Sequence, residues 1–154
     1  MVLTRTVPSP LGVLCLTAEA GAIVRLDWTG GNKASDDSGT LLDEAARQLA
    51  AYFVGTLHDF GLPLAPTGTP HDRKVWHEMQ QIPFGATRSY GDLARTIGSS
   101  ARAVGTACGR NPIPIIIPCH RVLAAGGAIG GYSGAGGTAT KHRLLVLEGA
   151  MLAV

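Results

Sequence analysis

Apolar and polar positions alternate in short runs over the first thirty residues. Val2–Val7, Val13–Thr17 and Ala22–Trp28 each combine β-branched or apolar residues with turn signals at Pro8-Ser9-Pro10 and Gly21. That pattern predicts three strands of a small antiparallel meander. From Thr40 the period changes: Leu42, Ala45, Ala46, Leu49 and Phe53 repeat at helical spacing until Gly55, which predicts a helix capped by Thr40 with Asp43 in a box-like position. Pro63–Pro70 is the strongest linker signal in the chain. It predicts a domain at 1–65, a linker at 66–70 and a second domain at 71–154.

The second half reads as helices. Val75, Trp76, Met79 and Ile82 mark one face of a helix that ends before Pro83. Ser89 is placed to cap Tyr90–Ile97 with Asp92 as its box partner, and Gly98 to stop it. A third helix, Ala101–Cys108, follows after Gly98-Ser99-Ser100, and two short helices around a tight glycine turn predict a helix-turn-helix. Ala103, Val104, Gly105, Thr106 and Ala107 are all small, so this helix is suited to close approach, either to DNA or to a neighbouring helix. Arg102 and Arg110 stand at its two ends. The isoleucine run Ile115–Ile117 predicts a short buried strand or extended segment. Lys141–Gly149 reads as a last short helix.

The chain has 154 residues, 45% hydrophobic and 16% charged, a globular composition. No apolar run reaches membrane-spanning length, and the N-terminus lacks a signal-peptide core; the expectation is a cytoplasmic protein with no membrane contact. Cys15, Cys108 and Cys119 form no CxxC pair, which argues against a disulfide framework. The net charge of +2 conceals an asymmetry. Residues 1–68 hold four Lys/Arg against seven Asp/Glu, a balance of −3, and residues 69–154 hold nine against four, a balance of +5. A basic second half suits a polyanion.

The candidate chemistry gathers at Pro118-Cys119-His120-Arg121-Val122. Pro118 fixes the backbone before the thiol, and basic neighbours lower a cysteine pKa. Seven of the twelve residues 126–137 are glycine, a loop whose backbone can come close to a ligand. A nucleophile needs a base and the base an orienting group. His120 and the acid Glu148 are the candidates, with a water between His120 and Cys119 because adjacent side chains point apart.

This motif resembles that of the O6-alkylguanine-DNA alkyltransferases, the methylated-DNA–protein-cysteine methyltransferases. The likeness continues in order through Ile82-Pro83, Gly85, Ser89-Tyr90, Arg102–Gly105, Asn111–Pro114, Tyr132–Gly134 and Leu147–Gly149. Over residues 1–65 it rests on architecture alone. The resemblance implies an α/β N-terminal domain, a ribonuclease-H-like small antiparallel sheet plus helix, followed by a mainly α winged-helix/helix-turn-helix domain. It implies direct-reversal DNA repair: irreversible transfer of the alkyl group from O6-alkylguanine, with O4-alkylthymine as a second candidate, to Cys119, once per protein. His120, Glu148, Asn111 and Tyr90 would assist catalysis. Val122, Tyr132 and Ser133 would hold the flipped base, and Arg102, Ala103, Ala107 and Arg110 would face the duplex. The implied partner is double-stranded DNA carrying alkylated bases, met by a monomer of bacterial type that is nucleoid-associated when bound. No cofactor or metal is implied. Gly131 and Gly134–Gly137 depart from the family pattern. A non-catalytic damage sensor, a Cys-His-Glu thiol hydrolase and a plain winged-helix module remain as other readings.

Overall fold

A computed structural model describes residues 2–28, 39–132 and 134–152. The chain divides into two compact units that meet between Thr67 and Gly68. In the first, β1 (Val2–Val7), β2 (Leu14–Glu19) and β3 (Ala22–Trp28) form an antiparallel sheet in the order β1-β2-β3. Thr4 pairs with Thr17 and Leu16 with Leu26, and the β2–β3 register slips between Thr17 and Ala18. Leu14, Leu16, Ile23 and Leu26 are buried together with Leu42, Ala45, Leu49 and Tyr52 from α1 (Thr40–Phe53). Thr40 is not the cap of this helix, because it already has helical geometry. Gly39 precedes it without any side-chain hydrogen bond, and Asp43 forms an ion pair with Arg5 instead. The linker expectation also narrows. Pro63 and Ala65 exchange backbone hydrogen bonds with Ile23 at 2.8 and 2.9 Å, so this stretch runs along β3.

The second unit is helical: α2 (Pro70–Gln80), α3 (Tyr90–Ile97), α4 (Ala101–Gly109) and α5 (Gly137–Leu147), with a two-residue parallel pair between β4 (Arg88–Ser89) and β5 (Val122–Leu123). Local chemistry fixes the starts of the first three helices. Thr69 and Asp72 form a reciprocal capping box at α2, Ser89 and Asp92 form another at α3, and Ser100 accepts from the Ala103 amide at α4. Such caps contribute about 1 kcal/mol each. Gly98 ends α3 in the left-handed region at φ 70°, where a side chain would be strained. Trp76, 1% exposed, fills the space between α2 and α4, and its indole N–H donates to the Ala107 carbonyl at 2.9 Å. Val75, Met79, Ile82, Leu93 and Val104 complete this core.

The isoleucine run is not a strand. Residues 113–117 fold into a buried turn closed by the Ile117 amide on the Ile113 carbonyl at 2.9 Å. Ile115 is held at φ 75°, a conformation costing a β-branched residue roughly 1–3 kcal/mol. Apolar character alone could not separate a buried strand from a buried turn. The deciding feature is Asn111. Its side chain accepts from the Ile113 amide at 3.0 Å and donates to the Ile117 carbonyl at 2.8 Å, replacing the ladder bonds a strand would make.

Candidate active site

The buried turn delivers Cys119 to the start of a single 3-10 turn, Cys119–Arg121, which leads directly into β5. Because β5 pairs with β4, and β4 runs into the cap of α3, the cysteine and Tyr90 are brought to one place. A cavity of about 270 Å³ opens there, lined by Tyr90, Cys108, Gly109, Cys119, Gly131 and Tyr132. Tyr90, Cys119 and Tyr132 were expected to meet. Cys108 is buried with its sulfur 3.5 Å from that of Met79, and it also forms part of the cavity wall. Ser133 lies outside the described residues.

Arg121 is not the free cation beside Cys119 that the sequence suggested. Arg121 lays its guanidinium along Glu148, with Nε 2.8 Å from Oε1 and the second contact at 3.0 Å to Oε2. Its remaining arm donates to the Ile82 carbonyl at 2.7 Å. His120 Nε2 lies 2.7 Å from the same carboxylate, and all three side chains are buried. A carboxylate doubly paired with arginine can only accept, so Nε2 carries the imidazole proton and Nδ1 carries the lone pair. Burial pulls the His120 pKa below its ordinary value, against the opposing pull of Glu148, so the ring is neutral at neutral pH. Nδ1 is buried and, among the described residues, has no hydrogen-bond partner. This is a base with its tautomer set and its accepting atom unused.

Burial likewise pushes the Cys119 thiol up. Three interactions oppose it: a hydrogen bond from Asn111, the positive charge of Lys141 and a hydrogen bond from the backbone amide of Cys119 itself. Asn111 therefore braces the strained turn and also favours the thiolate. Lys141, read above only as the start of the last short helix, also reaches this site. It is fully buried in α5, with Nζ donating to the Val122 carbonyl at 2.6 Å and the Gly131 carbonyl at 3.1 Å, and it stands 5.7 Å over the Tyr90 ring. The signal was present: Lys141 lies three and four residues before Leu144 and Leu145, on the inward face of its helix. It clasps the glycine loop to β5. Gly130 makes that clasp possible, since at φ +68° a Cβ would stand 3.1 Å from the Tyr90 hydroxyl and 3.6 Å from Nζ.

Lys141→Met should move the pH midpoint of Cys119 alkylation by iodoacetamide upward, because a cation that favours the thiolate is lost. The rate at neutral pH should fall about tenfold for each unit of that rise. Peptide mass mapping after timed exposure reads it, and an unmoved midpoint would reduce Lys141 to a mechanical clasp.

Tyr90 is half-buried, and its phenol is pushed up to about 12 by burial and by the proximity of Cys108 and Cys119. It remains a protonated donor. The Tyr132 hydroxyl is buried without a partner among the described residues, and burial raises its pKa as well. Val122 is buried, and its carbonyl is already engaged by Lys141. On α4, Arg102 is exposed and Ala103 partly so, but Ala107 is fully buried and so points away from any surface partner. Arg110, expected at the duplex, holds the buried carboxylate of Asp72 at 2.7 Å. No cluster of three metal-ligating side chains occurs among the described residues. No described helix is long and apolar enough to cross a membrane.

Comparison with known proteins covers both units. Residues 2–66 match the family model for the ribonuclease-like domain of 6-O-methylguanine DNA methyltransferase, and residues 70–150 match that for its DNA-binding domain. A methylated-DNA–protein-cysteine methyltransferase of Methanosarcina acetivorans is 42% identical, spanning 92% of this chain and 94% of its own. The crystal structure of O6-methylguanine methyltransferase from Mycobacterium tuberculosis superposes with a TM-score of 0.86 at 40% identity, covering 100% of this chain and 97% of that one. A structure of the Mycobacterium tuberculosis protein in complex with DNA gives 0.84 at 43%, covering 96% and 92%.

Proposed function

The chain belongs to the 6-O-methylguanine DNA methyltransferase family, the methylated-DNA–protein-cysteine methyltransferases of direct-reversal DNA repair, and from that premise we propose that Cys119 is its alkyl acceptor. The observation carrying this reading is the relay: Glu148 fixes the His120 tautomer so that the buried Nδ1 lone pair is left unspent on the residue next to the cysteine. A water between Nδ1 and Sγ takes the thiol proton toward His120. Sulfur attacks the alkyl carbon on guanine O6, a C–S bond forms, the C–O bond breaks, and its electron pair leaves with the base. Glu148 and Arg121 together hold the relay in place as charge shifts to the imidazole.

The leaving guanine becomes electron-rich, and Tyr90 donates a hydrogen bond or a proton to its N3. A preorganised donor aimed at developing charge lowers the barrier most in a site from which water is excluded. Tyr132 walls the base, and the Ser133 amide serves O6. The Cys119 and Val122 carbonyls accept from the exocyclic amine of guanine. Val122 O already binds Lys141, so its second lone pair would do this. The thioether has no route back to thiol, so each molecule acts once. The protein acts as a monomer in the cytoplasm on duplex DNA carrying alkylated bases. The damaged nucleotide is flipped out at a cost of a few kcal/mol.

Incubation with a duplex carrying O6-methylguanine should add one methyl per protein, on the peptide containing Cys119, and intact mass followed by peptide mapping decides it. Arg102→Ala should slow repair of that duplex far more than reaction with free O6-benzylguanine, since its exposed guanidinium is assigned to the vacated stack. Equal losses on both substrates would make Arg102 structural.

A further inference from the structure

On the outer side of α2 an open groove runs against the end of α3, lined by Pro70, Arg73, Lys74, His77 and Glu78 from the first helix and Thr96 and Ile97 from the second. Arg73, Lys74 and His77 are all exposed. Their state differs from that of most arginines in the protein. Arg5, Arg25, Arg47, Arg95, Arg110 and Arg121 each hold a carboxylate, whereas Arg73 and Lys74 have no such partner among the described residues. Unpaired cations in a row are not explained by folding, because they repel one another and stabilise nothing nearby.

Their position supplies the reason. The His71 ring is 2.7 Å from the Ser99 hydroxyl, tying the start of α2 to the turn between α3 and α4. The next residue, Ser100, caps α4, and Arg102 stands exposed in its first turn. The groove therefore begins beside the N-terminal end of the helix assigned to the duplex and leads away from it. Residues 73 and 77 lie about 6 Å apart along the helix axis, close to two steps of the roughly 3.4 Å phosphate spacing along one strand.

We propose that the α2 ridge of Arg73, Lys74 and His77 is a second DNA-binding surface. It takes the phosphodiester backbone of the duplex beyond the damaged base. This rests on the assignment of α4 to duplex DNA. Phosphate contacts fix orientation without reading sequence, so the ridge would hold register while Arg102 and the cavity act on the lesion. Glu78, the single carboxylate of the groove, marks its far limit.

The test is titration of a short O6-methylguanine duplex at several salt concentrations. For the Arg73→Ala/Lys74→Ala double variant, affinity should fall about tenfold at low salt, and the slope of log K against log salt should flatten by about 1.8, at roughly 0.9 per lost phosphate contact. Reaction with free O6-benzylguanine should be unchanged. Glu78→Gln should shift affinity the opposite way, toward tighter binding. An unaltered slope and affinity in the double variant overturns the proposal, as does a variant that changes only self-association in sedimentation. Wild-type protein gaining no alkyl group from the duplex would instead defeat the functional reading itself, whatever the ridge does.

Discussion

Cys119→Ser is expected to abolish adduct formation while leaving the fold intact. The substitution replaces a buried sulfur by a slightly smaller oxygen, and the cavity beside it accommodates the change without a clash. What it removes is the sulfur proposed as the nucleophile. A thiol is within reach of ionisation when Asn111 and Lys141 favour its charged form, and a hydroxyl is not. Intact mass after exposure to the O6-methylguanine duplex should therefore show only unmodified protein. The informative control is Cys108→Ser, because Cys108 lines the same cavity. Burial and the neighbouring Cys119 push the Cys108 thiol up to about 12, against the smaller opposing pull of Lys141. The Cys108 variant should accept one methyl as the wild type does. An adduct persisting in Cys119→Ser and vanishing in Cys108→Ser would transfer the acceptor role to the second thiol.

The second large effect is at Glu148. This carboxylate, 4% exposed, receives His120 and both Nε and one arm of Arg121. Glu148→Ala would leave a guanidinium buried without its counter-charge, a loss of about 3–5 kcal/mol, and the denaturation midpoint should drop accordingly. Much of that is the cost of stranding Arg121, so the chemistry is better read from Glu148→Gln. The amide keeps the shape but presents both a donor and an acceptor, so it no longer dictates which imidazole nitrogen carries the proton. Alkyl transfer should slow by a factor on the order of 10² or more, the usual worth of a positioned base, even at temperatures where the variant remains folded. A Glu148→Gln rate equal to that of wild type would mean that the His120 tautomer does not limit the reaction.

Much of this site was legible along the chain because its parts are local. Pro118–Val122 are contiguous, the caps at Ser89 and Asp92 are three residues apart, and Gly98 lies at the only place a left-handed residue can end α3. Such features depend on spacing, which a sequence displays directly. The mistakes were of another kind. Arg121 sits two residues from Cys119 in sequence, and proximity suggested that it charges the thiol. In the folded chain it turns to Glu148, twenty-seven residues on, beside the His120–Glu148 pair that the sequence had put forward. The isoleucine run looked like a strand because apolarity records burial and says nothing of which atoms satisfy the backbone.

The sequence by itself determined the helix-turn-helix and the three-stranded meander, and it put Cys119 forward as the candidate reactive atom. Each follows from periodicity, capping chemistry or a contiguous motif. Only the tertiary structure decided that Lys141 reaches across to Val122 and Gly131, that Ala107 faces inward, that Arg110 is spent on Asp72 and that the Nδ1 lone pair of His120 is left over. Those outcomes depend on which groups meet once water is excluded. A buried charge or donor must find its partner wherever the fold brings one, irrespective of distance along the chain.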